Sequence, residues 1–137
     1  MLRVRGVGHV VLRVRTIQLA EMLRFYMDIL GCPIENVHEE LGLYQLRAGC
    51  NLLDFILVEG KLGRAKCKGD ASPDHLCLSI DSFDAGAVRR ELLKAGVRVG
   101  EYGQRYGVDG HAWSLCIYDP EGNAIELMGP PTNVTVL

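Results

Sequence analysis

The sequence lacks the features that define several protein classes. No apolar run approaches the roughly 18 residues of a membrane-spanning helix, and the first residues form no apolar stretch typical of a signal peptide. We therefore expect a cytoplasmic protein with no membrane partner. Basic residues are not in excess, because 15 Lys and Arg stand against 17 Asp and Glu for a net charge of −2. This balance argues against a nucleic-acid partner.

Cysteine is present, but not in a pattern that would crosslink the chain. There are five cysteines, and no two of them are spaced as C-x-x-C. The odd number argues against a disulfide framework, and the missing C-x-x-C pairs argue against a zinc ribbon. Cys77 and Cys116 lie within apolar runs, so we expect them to be small core residues.

The composition is that of a globular protein. Hydrophobic residues make up 48% of the 137 positions and charged residues 23%. A chain of this length can bury enough surface to fold as one unit. We therefore expect a single domain over residues 1–137.

One pattern occurs twice along the chain. An apolar, strand-like segment begins at His9, and a similar one begins at His75. Later in each half, a second apolar segment carries an acid, Asp54 in the first and Glu126 in the second. The polar residues that recur at equivalent places are thus two histidines and two carboxylates.

The repeat also predicts the domain organisation. In each half, a helix-like stretch follows the first strand and ends at a glycine, Gly31 or Gly96, and further strands come next. We predict a first module over about residues 6–58, a linker over 59–73 and a second module over about 74–129. The predicted order of elements in each module is β-α-β-β-β.

Two such modules predict an α+β fold. A single βαβββ module leaves one face of its sheet uncovered and cannot bury a full core alone. Two modules can pair, within one chain or across two, to form a curved mixed sheet around a cavity. Because side chains alternate along a strand, the repeated histidines and acids are expected to point inward.

The repeated residues predict a metal site made of His9, Asp54, His75 and Glu126. A single histidine or acid in such a strand is usually an ordinary hydrogen-bonded or solvated residue. Its recurrence at equivalent places in both halves favours a shared role. Two imidazoles and two carboxylates suit one divalent ion: Ni, Zn, Mn, Fe or Co. Such an ion would act as a Lewis acid on a small-molecule substrate.

A glycine-rich segment in the second half is a candidate substrate contact. We expect a loop from Gly103 to Gly110, after a strand near residues 97–101. Within and beside it, Arg105, Tyr106 and His111 offer contacts for an anionic substrate. The alternative is a surface loop with solvated polar residues.

Three motifs together resemble the vicinal oxygen chelate superfamily. They are G-H-V-V-L-R-V at residues 8–14, F-Y-x-x-x-L-G at 25–31 and Y-D-P-E-G-N-x-I-E-L at 118–127. This superfamily includes glyoxalase I, methylmalonyl-CoA epimerase, fosfomycin-resistance thiol transferases, extradiol dioxygenases and bleomycin-resistance proteins. The resemblance covers residues 6–129. It implies the glyoxalase-like fold of paired βαβββ modules, an inward metal and often a homodimer.

The resemblance also implies which residues bind the metal. In the superfamily, ligands come from the first and last strands of each module, which here gives His9, Asp54, His75 and Glu126. The fosfomycin-resistance and dioxygenase branches use three ligands, equivalent to His9, His75 and Glu126. Asp54 would then bind through water or serve as the proton-transfer base.

Several functions are compatible with these candidate ligands and with the resemblance. The leading one is a metal-dependent, glyoxalase-like lyase or isomerase whose substrate chelates the ion through two adjacent oxygens, with Asp54 or Glu126 as the catalytic base. The alternatives are an extradiol-type dioxygenase, a fosfomycin-type thiol transferase, or a metal-free drug-binding resistance protein.

Overall fold

The computed structural model describes residue 3 and residues 7–65, 75–81 and 84–132. The chain divides into two compact units, Met1–Ala71 and Ser72–Leu137. Each unit is built on one four-stranded sheet.

The first unit follows the predicted order β-α-β-β-β. Its sheet has the order β1-β4-β3-β2, in which β1 is parallel to β4 and the other pairs are antiparallel. The elements are β1 (His9–Val14), a 3₁₀ turn (Thr16–Gln18), α1 (Leu19–Leu23), a π-helical segment (Arg24–Ile29), β2 (Ile34–His38), a second 3₁₀ turn (Glu39–Leu41), β3 (Leu43–Ala48), β4 (Asn51–Leu57) and α2 (Lys61–Ala65).

The second unit repeats this arrangement. Its sheet has the order β5-β8-β7-β6, with β5 parallel to β8 and the other pairs antiparallel. The elements are β5 (Leu76–Ser79), α3 (Ala85–Lys94), β6 (Arg98–Gly107), β7 (Gly110–Tyr118) and β8 (Ala124–Met128). The prediction of two βαβββ modules with mixed sheets is therefore confirmed.

The core of the first unit lies between the helical segment and one face of the sheet. Tyr26 and Phe55 are both fully buried, and their rings meet edge to face with centroids 5.3 Å apart. Edge-to-face contacts of this kind add to the stability that apolar burial provides. Since side chains alternate along a strand, Phe55 facing the helix directs its neighbour Asp54 to the opposite face of the sheet.

The core of the second unit is formed in the same way. Helix α3 begins after Asp84, whose Oδ1 accepts a hydrogen bond from the Ala87 backbone N at 3.1 Å. The helix packs on β6 and β7. In β8, Ile125 and Leu127 are buried with the core, at 0% and 3% exposure. By alternation, Glu126 between them lies on the opposite face of the sheet.

Both predicted helix stops are confirmed. Gly31 and Gly96 follow the helices with φ of 73° and 79°, a left-handed conformation that a residue with a Cβ rarely adopts. The first helix differs from expectation in its geometry. Only Leu19–Leu23 is α-helical, and the chain then widens into a π-helical segment that ends with Cys32 N donating to Tyr26 O at 2.7 Å.

One prediction about an irregular segment is wrong. Most of the expected Gly103–Gly110 loop is strand, because β6 extends to Gly107 and pairs with β7 up to a two-residue turn. Glycines lower the local strand preference, but the ladder with β7 outweighs it. In the expected linker, Lys61–Ala65 is helical, and residues 66–73 lie outside the described residues.

Along the ranges that the structure describes, no helix has the length and apolar character needed to cross a membrane.

Candidate functional site

In the first unit, His9 and Asp54 share one face of the sheet. In the parallel ladder of β1 and β4, Leu52 is the partner of His9, and Asp54 is the partner of Val11. Strand partners present their side chains on the same face of the sheet. His9 and Asp54 therefore lie on one face, two residues apart along the ladder. His9 is exposed, whereas Asp54 is only 5% exposed.

Asp54 is held through one of its two carboxylate oxygens. Gln45 Nε2 donates to Asp54 Oδ2 at 3.2 Å, and Asn36 Nδ2 donates to Gln45 Oε1 at 3.4 Å. Oδ1 is buried without a hydrogen-bond partner among the described residues. A buried carboxylate oxygen without a partner costs free energy unless a donor or a cation reaches it. The geometry thus leaves one oxygen available as a ligand or proton acceptor.

In the second unit, His75 and Glu126 are in direct contact. His75 precedes β5, and Glu126 in β8 is the strand partner of Cys77. The distance from His75 Nε2 to Glu126 Oε2 is 3.4 Å, with the side chains 47% and 19% exposed. Glu126 Oε1 is buried without a hydrogen-bond partner in the described part of the chain. Glu126 therefore resembles Asp54, since each has one contacted carboxylate oxygen and one buried oxygen without a described partner.

The two units place their histidine and acid in the same relation. In each, the acid is the strand partner of the residue two positions after the histidine. In neither unit do three or more described His, Cys, Asp or Glu side chains gather where they could hold a metal ion. Each unit supplies one imidazole and one carboxylate. The assignment of His9, Asp54, His75 and Glu126 to a single ion stays a prediction.

The second unit contains a pocket of about 300 Å³ beside this pair. That volume suits a small molecule. The residues that line it are His75, Glu101, Arg105, Ser114, Cys116, Tyr118, Ala124 and Glu126.

Of the three predicted substrate contacts, Arg105 lines this pocket. Tyr106 and His111 are strand partners of each other, and their rings are 5.2 Å apart in an edge-to-face contact. Because consecutive residues of a strand point to opposite faces, Tyr106 lies on the other face of β6 from Arg105. Tyr106 is 77% exposed there. A substrate-binding role for Tyr106 and His111 stays a prediction.

Two cysteines flank Glu126, and the sequence-based interpretation of them was wrong. Cys77 in β5 and Cys116 in β7 are the strand partners of Glu126 on its two sides. Cys77 is exposed, and Cys116 is half-buried and lines the pocket, so neither belongs to the core. Partial loss of solvent raises the pKa of the Cys77 thiol, and the Glu126 carboxylate raises it further. Strand alternation from His75 and Glu126 was the signal that could have placed these thiols.

Comparison with known proteins identifies the family of this chain. The family model described as Glyoxalase/Bleomycin resistance protein/Dioxygenase superfamily matches residues 6–127. No curated protein matches the chain.

Several solved structures share the fold. A virulence protein from Salmonella typhimurium is 23% identical, with a TM-score of 0.73, over 94% of this chain and 99% of that chain. Lactoylglutathione lyase from Agrobacterium tumefaciens is 18% identical, with a TM-score of 0.69, over 91% and 93%. A fosfomycin resistance protein from Listeria monocytogenes is 16% identical, with a TM-score of 0.64, over 93% and 94%. Because the family model covers nearly the whole repeat, the chain belongs to the Glyoxalase/Bleomycin resistance protein/Dioxygenase superfamily.

Proposed function

We propose that this protein is a metal-dependent lyase or isomerase of glyoxalase type. The observation that supports it is a pair of buried carboxylate oxygens, Asp54 Oδ1 and Glu126 Oε1, that have no hydrogen-bond partner among the described residues. Each acid is on a strand that lies beside a histidine-bearing segment. Leaving two such oxygens unsatisfied would be costly in a structural site. A divalent cation held by these acids with His9 and His75 would satisfy both.

The donor set fits a divalent first-row ion. Two imidazole nitrogens and two carboxylate oxygens suit Ni, Zn, Mn, Fe or Co. When bound, such an ion supplies Lewis acidity toward two adjacent oxygens of a small substrate. Strand-borne ligands have well-fixed directions, and His75 and Glu126 are already in contact.

The protein's own residues would carry out the proton transfer. Gln45 holds Oδ2 of Asp54, so Oδ1, when it is released from the ion, could accept a proton from a substrate carbon next to a carbonyl. Glu126 is the other candidate base, with one oxygen close to His75 and one that no described residue contacts by a hydrogen bond. Asp54 and Glu126 are thus both candidates for the catalytic base.

A second candidate function follows from the difference between the two acids. Asp54 is bound to an amide from Gln45, whereas Glu126 is next to a histidine. A three-ligand site of His9, His75 and Glu126, with Asp54 outside it, would favour a thiol transferase or a dioxygenase.

Metal content tests the proposal. We expect the purified protein, loaded with Zn²⁺, Ni²⁺ or Mn²⁺ and desalted, to retain the ion by elemental analysis, and His75→Ala and Glu126→Gln to lose it. His38→Ala is the matched control, because His38 is an exposed histidine that pairs with Glu40 at 3.7 Å. Full metal content in His75→Ala would refute the site, and a wild-type protein that retains no ion would favour the drug-binding alternative.

The Asp54→Asn variant separates the two enzymatic candidates. If Asp54 is the base, the variant should keep metal but lose exchange of solvent deuterium into dihydroxyacetone, an α-hydroxycarbonyl probe followed by NMR. Unchanged exchange in that variant, with iron-dependent oxygen uptake on catechol, would favour the dioxygenase instead.

A further inference from the structure

The pocket of the second unit has a cationic end. Arg105 lies in β6 opposite Ala112, and its guanidinium folds back over Gly103. A Cβ placed at Gly103 would lie 2.6 Å from Arg105 Nη1, closer than real contacts allow, so the end of this flexible side chain would have to move. The missing side chain at Gly103 thus provides the space that the guanidinium occupies.

The guanidinium is held in place but only weakly neutralised. Its Nη1 donates to the Gln104 carbonyl oxygen at 2.9 Å, which fixes the orientation of the planar group. Oε2 of Glu101 lies 3.9 Å from Nη2, and the Glu101 side chain is 91% exposed. Exposed ion pairs at such a distance contribute little, because water screens both charges. An incoming oxyanion can therefore replace Glu101.

The proposed chelating residues also line the pocket. His75 and Glu126 lie there, and the side chains of Ser114 and Tyr118 also line the pocket. Ser114 Oγ is 3.4 Å from the Gly103 carbonyl oxygen, a long hydrogen bond that a ligand can displace. One cavity thus combines a planar cation, hydroxyl groups and a carboxylate–imidazole pair.

We infer that this pocket selects a small substrate that bears an oxyanion, a carboxylate or a phosphate, and that Arg105 binds it. The guanidinium has paired N–H donors that match the geometry of such groups. This inference rests on the proposed function for the chelating end of the substrate. In this inference, Gly103 is the positioning residue that leaves room for the guanidinium over β6. Glu101 competes with the substrate oxyanion for the same guanidinium.

Binding of simple anions to the full chain tests the inference. Succinate and inorganic phosphate are the probes, and succinamide is the uncharged analogue of succinate. We expect succinate, but not succinamide, to shift the Arg105 Nε–H signal in NMR spectra of the EDTA-treated protein. The same titrations are repeated with Zn²⁺ added, because the charge of Glu126 opposes anions in the metal-free pocket. The tighter of the two anions identifies the group that the site prefers.

The variants are chosen to separate charge from position. Loss of one charge-assisted contact in Arg105→Gln should weaken succinate binding roughly tenfold to a hundredfold, and Arg89→Gln, an exposed arginine of α3, should leave it unchanged. Glu101→Gln should strengthen binding by removing the competitor. Equal affinity in the wild type and Arg105→Gln, or equal binding of succinamide, would overturn the inference.

A glycine variant tests the positioning role without changing any charge. Gly103→Ala should weaken succinate binding because the new methyl displaces the guanidinium. Gly8→Ala should not weaken it, because a Cβ there meets no atom of the described residues within 4 Å. Unchanged succinate affinity in a folded Gly103→Ala protein would show that Gly103 does not position the guanidinium.

Metal content separates this inference from the proposed function. If the protein retains no ion but succinate binding depends on Arg105, the proposed function fails and the anion site stands. If the protein retains the ion but Arg105→Gln leaves the affinity for succinate unchanged, only the inference about the anion site fails.

Discussion

Gln45 donates a hydrogen bond to Asp54 across neighbouring strands, and it is the contact that holds this buried carboxylate in place. The bond joins Nε2 to Oδ2 over 3.2 Å, and Gln45 is the strand partner of Asp54. Because the second oxygen has no partner among the described residues, the orientation of the carboxylate depends on this amide.

Removing that amide should destabilise the protein. Gln45→Met keeps the length of the side chain but leaves a buried carboxylate without a donor, so we expect the free energy of unfolding to fall by about 1–3 kcal/mol. Urea denaturation of the wild type and the variant measures this change in the free energy of unfolding. Asn36→Ala is the control, since its bond to Gln45 is longer, at 3.4 Å, and exposed. A loss in Asn36→Ala as large as in Gln45→Met would contradict the central role of Gln45.

Replacing the carboxylate itself should have the opposite effect on stability. In metal-free buffer, Asp54→Leu removes a buried charge with one unsatisfied oxygen, so its unfolding free energy should equal or exceed that of the wild type. Added Zn²⁺ should then stabilise the wild type by about 2.7 kcal/mol at a concentration of 100 times Kd, and Asp54→Leu by less, because one of the four proposed ligands is missing. Thermal denaturation with and without the ion measures both effects. An Asp54→Leu protein that is stabilised equally by Zn²⁺ would exclude Asp54 from the site.

The turn before β8 should be sensitive to substitution. Asp119 is 4% exposed, and its carboxylate accepts hydrogen bonds from the backbone N of Glu121 and Asn123 at 2.9 Å each and from Asn123 Nδ2 at 2.7 Å. We expect Asp119→Ala to lower the unfolding free energy by about 2–4 kcal/mol in urea denaturation. Asp109→Ala, at an exposed turn, should change it by less than about 0.5 kcal/mol. Similar values for the two variants would show that the Asp119 network adds little.

The pKa of Glu59 should depend on Thr16. Hydrogen bonds from the Thr16 hydroxyl at 2.8 Å and from its backbone N at 3.0 Å lower the pKa of this exposed carboxyl. A lowered folded-state pKa means that the contact stabilises the fold above the ordinary carboxyl pKa and is lost as pH falls through the lowered value. Thr16→Val keeps the backbone donor, so the pKa should rise only part of the way.

Carbon-13 NMR titration of the Glu59 carboxyl measures this change. Ile17→Val alters the next residue without removing a hydrogen bond and should leave the Glu59 pKa as it is. A Glu59 pKa that does not move in Thr16→Val would show that the hydroxyl is not its main cause.

Much of the architecture could be predicted from local patterns. The repeated strand and helix periodicity predicted both βαβββ modules, and glycines marked the ends of both helices, because few other residues adopt a positive φ. The Gly103–Gly110 segment could not be read in this way. Its strand exists because β7 supplies hydrogen-bond partners, which a local propensity cannot include.

The candidate site shows the same division. The sequence by itself determined that each half carries a histidine at the start of its first strand segment and an acid in its last strand, since the repeat consists of residue types and spacing. Only the tertiary structure decided that Cys77 and Cys116 flank Glu126, that Gln45 binds one oxygen of Asp54, and that Arg105 folds over Gly103. These contacts depend on the register between strands that are distant in the chain, and register follows from how whole sheets bury their faces.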